Sequence, residues 1–212
     1  TYVLTLVIPY FLVYLIYNEN FNEKEKLQHI FMDSDVTNWT WEACFYNLNK
    51  EFFYDDSITL AQKLLNKYLI REYDNKKIVT KIVETEAYMG ETDKAAHAYK
   101  NRKSVRTGPL YLEGGHIYVY LIYGMYNCLN ISANRENIPH CVLIRAVEPV
   151  QNLEEISQNR FGKSYDELTS YQRKNLTNGP GKLCKALNID RSLSGKYILD
   201  KELYIVDNAD DD

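Results

Sequence analysis

Residues 116–149 read HIYVYLIYGMYNCLNISANRENIPHCVLIRAVEP, and this stretch decides the class of the fold. Two runs, HIYVYLIYGMYNCLNISA and CVLIRAVEP, are rich in β-branched and aromatic residues and flank the polar NRENIPH. Such runs read as long strands, paired in a hairpin, that supply most of a core. Upstream, LIREYDNKKIVTKIVETEAY (69–88) places two apolar-alternating runs around Asp74-Asn75-Lys76, the signature of a β-hairpin. TLAQKLLNKYL (59–69) before it is an amphipathic helix, with T-L-A-Q as a capping box, so a folded domain is predicted to start near Ser57. Downstream come a helix near 151–160 and a second one delivered by the Gly/Pro turn of TNGPGKLCKALNI (177–189). Beyond Ser192 only LYIV (203–206) is strand-like before the acidic end, and residues 90–115 read as a polar, basic surface loop.

Composition separates the centre from the flanks. The 212 residues carry a net charge of −4 and are 45% hydrophobic, enough for one compact domain with an extension. Residues 57–192 hold 20 Lys or Arg against 14 Asp or Glu, whereas the flanks hold 5 against 15. A polyanionic partner therefore fits the middle of the chain and not its ends. Residues 1–17 carry no charge; they read as a membrane-anchor or targeting remnant or as a buried helix or strand pair. Residues 18–56 read as an acidic linker. The division is thus 1–56 (hydrophobic start and linker), 57–195 (domain) and 196–212 (incomplete strand and acidic tail). Four cysteines without a CxxC pair point to reduced thiols inside a cell, and no Cys/His cluster has zinc-ligand spacing, so no metal is expected.

Several side chains are candidates for chemistry, each with a plainer alternative. Glu84 and Glu86 share a face at the end of the apolar strand KIVETEAY. They form either a solvated strand end paired with Lys or Arg, or a general base beside a desolvated pocket. Tyr118, Tyr120, Tyr123 and Tyr126 are either strand packing or rings that stack an unstacked base, with Gly124 letting Tyr123 project elsewhere. Arg145, within an apolar strand, pairs with Glu86 or Glu148 or points into a polar cleft. Gly-Pro-Gly-Lys before the last helix is either a capped turn or a phosphate contact.

Taken in order, ETEAY, AAHAY, YVYLIYGMYNCLNIS, LIRAVEP and NGPGKLCKALNI resemble the alkyladenine (3-methyladenine, methylpurine) DNA glycosylases over about residues 57–195. The resemblance implies an α+β single mixed domain with a curved antiparallel β core flanked by helices, unrelated to the helix-hairpin-helix glycosylases. It implies a monomeric, monofunctional hydrolase of base excision repair that binds the minor groove of double-stranded DNA. Such an enzyme flips alkylated or deaminated purines (3-methyladenine, 7-methylguanine, hypoxanthine, ethenoadenine) out of the duplex and leaves an abasic site, without cofactor or metal. A catalytically weak module that binds damaged or distorted DNA is the alternative.

By the same resemblance Glu86 is the water-activating base, and Arg145 helps to hold the water. Tyr88, His97 and Tyr120 sandwich and hydrogen-bond the base, Asn130 rejects the guanine amino group, and Tyr123 fills the gap in the duplex. Lys182 and Arg106 meet phosphate. The sequence departs from the family at Leu110-Tyr111, where a Met-Phe pair is usual, and it stops at Asp212, where a further strand pair usually follows. The nucleus is the expected location, or else a DNA-containing organelle, with no membrane association beyond what residues 1–17 leave open.

Overall fold

The computed structural model describes residues 3–8, 11–16 and 45–208, in two compact units, Thr1–Ala43 and Cys44–Asp212. In the first, β1 (Val3–Ile8) and β2 (Phe11–Ile16) form an antiparallel pair with Val3 opposite Ile16. Among the described residues no helix is long and apolar enough to cross a membrane. Most of the stretch read as an acidic linker, residues 18–44, lies outside the described residues, as do residues 209–212.

The second unit is built on one seven-stranded sheet. Its strands are β3 (Phe45–Asn47), β4 (Tyr68–Tyr73), β5 (Lys76–Tyr88), β6 (Ile117–Ile122), β7 (Tyr126–Ala133), β8 (His140–Gln151) and β9 (Leu203–Asn208). They lie in the order β3-β9-β4-β5-β8-β7-β6, and every neighbouring pair is antiparallel. Helices α1 (Ser57–Leu64), α2 (Leu153–Phe161), α3 (Ser170–Lys174) and α4 (Pro180–Ala186) complete the expected α+β architecture. Leu60 and Leu64 of α1, Ile156 of α2 and Leu183 of α4 share the main core with Ile78, Ile82, Ile117, Val119, Leu129, Ile131, Val142, Ile144 and Val147 of the sheet.

Turn chemistry fixes the hairpins. Asp74 and Asn75 both have positive φ (47° and 58°), so a two-residue turn joins Tyr73 to its partner Lys76, the type I′ geometry that matches strand twist. The run read from sequence as one long strand, residues 116–133, is itself a hairpin. Tyr123 (φ 53°) and Gly124 (φ 69°) reverse the chain, and Ile122 pairs with Tyr126. β-Branched and aromatic content marks strand but gives no sign of where a strand doubles back, and a left-handed tyrosine is not what propensity suggests.

Two further expectations are corrected. Helix α1 begins at Ser57 under Asp56, whose Oδ1 accepts from the amides of Ile58 (2.8 Å) and Thr59 (3.1 Å), so the Thr59-Gln62 pattern lies inside the helix and does not cap it. The 90–115 segment is no simple surface loop. Its residues 102–106 are exposed, but Ala98, Leu110 and Tyr111 are buried against Tyr118 and Cys141 in a second core on the opposite face of the sheet. Elements outside 57–195 also belong to the packed unit: β3 pairs with β9, β9 with β4, and Phe53 is fully buried.

Candidate active site

Strand β5 changes faces part-way along. Ile78 and Ile82 point into the main core, and so do Thr85 and Ala87, although the two pairs differ in parity. The pairing explains the switch: Ile82 lies opposite Val147, Glu84 opposite Ala146 and Thr85 opposite Ile144, leaving Val83 and Arg145 as the extra residues of facing bulges. Val83 is accordingly pushed out to 47% exposure. Without that inversion the period of two would carry Glu84, Glu86 and Tyr88 into the apolar core. With it, all three face the second core and the cleft beside it.

On that face the three side chains meet Arg145. The Arg145 Nη1 donates to Glu86 Oε1, its Nε lies 3.2 Å from Glu84 Oε1, and the hydroxyl of Tyr88 donates to Glu86 Oε2 at 2.6 Å. Arg145 thus takes Glu86 and Glu84 as partners rather than Glu148. Its guanidinium is made still more basic, first by the Glu86 hydrogen bond. Burial, followed by the hydrogen bond to Glu86, pushes the Tyr88 phenol above its ordinary range, so it stays a donor.

Beside this group lies a cleft lined by Tyr88, His97, Tyr118, Tyr120, Asn130 and Cys141, with Ala95, Ala96, Leu110 and Pro139. Sheet register assembles it: Glu86 is opposite Leu143, Leu143 opposite Asn130, and Asn130 opposite Tyr118, in one row across four strands. The His97 ring stands edge-on to Tyr120, with centroids 4.5 Å apart, and its Nδ1 shares a hydrogen bond of 2.9 Å with the Tyr118 hydroxyl. Asn130 is buried, its Nδ2 donating to the carbonyls of Tyr118 (3.2 Å) and Cys128 (3.3 Å).

The remaining candidates lie around this centre. Tyr123, at the tip of the β6–β7 hairpin, is 83% exposed, and Met125 beside it is also exposed. Arg106 stands with its guanidinium carbon 5.4 Å from the centroid of the Tyr120 ring, at the cleft and not out on a remote loop. Lys182, in the first turn of α4, donates to Asn175 Oδ1 (2.7 Å) and Asn178 Oδ1 (2.9 Å). Gly181 allows α4 to approach β7, since a Cβ there would stand 2.9 Å from Tyr126 Cβ.

A family model described as methylpurine-DNA glycosylase matches residues 51–212. The chain belongs to that family. As a methylpurine-DNA glycosylase family member it is a DNA glycosylase, a hydrolase that acts on DNA in repair. A similar protein of Clostridioides difficile (strain 630) is 67% identical over 165 residues, which cover 78% of this chain and 82% of that protein. One from Clostridium novyi (strain NT) is 52% identical over 164 residues, covering 77% and 81%, and one from Clostridium perfringens (strain 13 / Type A) is 45% identical over 163 residues, covering 76% and 80%. All three are provisionally named 3-methyladenine DNA glycosylases.

The expected nuclear or organellar location of this glycosylase is overturned, because these relatives come from clostridia, bacteria without a nucleus. Reduced cysteines indicate a reducing compartment and do not tell a nucleus from a bacterial cell. The period of two in YVY had already offered Tyr118 as a candidate ring beside Tyr120, but not the hydrogen bond of its hydroxyl to His97. Cys141 was passed over, because it arrives in the cleft only through the pairing of β8 with β5 and β7.

The glycosylase cleft should respond to pH through His97. Burial, and then the charge of Arg106, lower its pKa below the ordinary 6.5. An unfolded chain takes up the proton at about pH 6.5, before the folded one does. Stability is therefore complete above that pH and is expected to fall as pH drops from 6.5 through the folded value. Urea midpoints at pH 7.5 and pH 5.5 should differ less in His97→Gln than in the native chain; an equal difference would remove His97 as the cause.

Proposed function

We propose that this glycosylase extrudes alkylated or deaminated purines from duplex DNA (3-methyladenine, 7-methylguanine, hypoxanthine, ethenoadenine) and hydrolyses the N-glycosidic bond, with Glu86 as the base. The observation that carries the reading is the Glu86 carboxylate, held by Arg145 and Tyr88 at the edge of an aromatic cleft. The extruded purine stacks between Tyr88 and His97 with Tyr120. Water attacks C1′ and gives its proton to Glu86, while the bond to the purine breaks and its electron pair leaves with the base. A ring-alkylated purine carries positive charge, so that pair neutralises it and no further proton is required. Hypoxanthine and ethenoadenine leave only after protonation and are the slower substrates. The neutral His97 suits the cationic purines, because a protonated ring would add repulsion in a desolvated cleft.

Asn130 discriminates against guanine. Buried and fixed by two hydrogen bonds from its Nδ2 to carbonyls, the side chain cannot move aside, so the extra amino group of guanine clashes with it. No lysine occurs in residues 84–88 or 118–126, so no Schiff base forms and an abasic site is the product. Arg106 and Lys182 provide cations for phosphate as the enzyme, a monomer, engages the minor groove.

Tyr123 is the wedge that occupies the vacated place in the duplex. A duplex with a single hypoxanthine, incubated with the protein and then heated in alkali, should be cut at the lesion. Tyr123→Ala should slow that excision by roughly ten- to hundredfold, the worth of one stacked ring, with thermal stability unchanged because the side chain is exposed. Intact DNA after incubation with the native chain, together with retained binding to the lesion duplex, would instead mark a DNA-binding module without excision.

A further inference from the structure

We infer that Glu84 is a positioning residue for the reaction, holding the Arg145 guanidinium so that Nη1 addresses Glu86. The inference rests on the proposed role of Glu86 and extends it to a residue that touches no substrate. Arg145 is the extra residue of its bulge, so the regular ladder does not fix the direction of its side chain. Two carboxylates do so instead, Glu86 at Nη1 and Glu84 at Nε.

The Nε atom is buried, and among the described residues no side chain or carbonyl accepts its hydrogen in hydrogen-bond geometry, while Glu84 Oε1 stands 3.2 Å away. Glu84 is the acidic group within ion-pair distance of that atom, and a small rotation of its half-exposed side chain completes the bond. A planar guanidinium can serve both carboxylates at once, which an ammonium cannot do in the same fixed orientation. Loss of Glu84 leaves Arg145 tied to Glu86 alone and free to swing on that one contact. The same bulge pair that lifts Glu86 out of the core therefore also requires a second anchor for its partner.

General electrostatics predicts the opposite sign. Glu84 is a surface anion on a protein that binds a polyanion, so neutralising it should tighten DNA binding and, on charge alone, leave excision no worse. A positioning role predicts slower chemistry with unchanged or tighter binding, because small misplacements in a reacting group cost up to about 10²-fold.

The experiment compares Glu84→Gln, Glu84→Asp and the control Glu148→Gln, which removes an equal charge from the partner strand. Single-turnover excision of hypoxanthine at saturating enzyme should fall about tenfold or more in Glu84→Gln, with the dissociation constant for the lesion duplex unchanged or lower. Glu84→Asp should recover part of the rate, and Glu148→Gln should match the native chain. In parallel, the Nε–H resonance of Arg145 in the free protein should exchange with water faster in Glu84→Gln than in Glu148→Gln. Equal excision rates in the native and Glu84→Gln chains, an equal loss in Glu148→Gln, or unaltered Nε–H exchange would each overturn the inference. Absence of excision by the native chain with faster Nε–H exchange in Glu84→Gln would instead remove the proposed role of Glu86 and leave the anchoring of Arg145 standing.

Discussion

Glu86→Gln is expected to lower single-turnover excision of an alkylated or deaminated purine by about 10²–10⁴-fold, the usual contribution of a general base. The substitution keeps shape and volume; the amide oxygen can still accept from Arg145, while the NH2 group in place of Oε2 can donate to the Tyr88 hydroxyl, which turns from donor to acceptor, so fold and DNA binding should be retained. What it loses is the capacity to take a proton from the attacking water. The loss should be larger for hypoxanthine than for 3-methyladenine, whose positive charge already weakens its bond to the sugar. Alkali-labile strand breaks, quantified with enzyme in excess over a single-lesion duplex, measure it. An unchanged rate would transfer the base to another residue, and a lowered affinity without a lowered rate would make Glu86 a binding group.

Phe53→Ala should be the most destabilising of these substitutions, by about 3–5 kcal/mol, as is typical for truncating a buried phenylalanine. The ring is wholly buried, edge-on to Phe52 at 5.1 Å and to Tyr197 at 6.5 Å. Its carbonyl accepts from the Asn134 amide at 3.0 Å, and Gly114 lies so close that a Cβ there would stand 2.1 Å from the same oxygen. For a unit of this size the melting temperature should drop by roughly 6–20 °C. Equilibrium denaturation in urea gives the energy directly. A change below about 1 kcal/mol would show that the segment before Ser57 is an appendage.

The two expectations differ in how far they could be read in advance. Glu86 was visible as one of two carboxylates on a strand end, and the ordered motifs separated it from Glu84. Phe53 was not visible, because the acidic, aromatic text of 18–56 lacks periodicity and the Gly114 contact joins residues about sixty positions apart. The hairpin turn at Asp74-Asn75 was legible from its residue types, whereas the left-handed Tyr123 that splits the 116–133 run was not. Arg106 was legible as a basic residue, yet its place against Tyr120 depends on how the 90–115 segment folds back over the sheet.

By itself the sequence determined the strands, through their β-branched and aromatic runs, and the family, through five motifs in a fixed order. It also placed most of the candidate residues, Glu86, Tyr88, Tyr120, Asn130 and Arg145, on those strands, with His97 in the segment between β5 and β6. The tertiary structure decided which way they face. Strict alternation would carry Glu84, Glu86 and Tyr88 to the same side as Ile78 and Ile82, into the main core. Facing bulges at Val83 and Arg145 invert both strands together, because a bulge is a property of the pair and its register and is written in neither strand alone. That inversion turns a buried carboxylate into one that stands beside a cleft with its arginine.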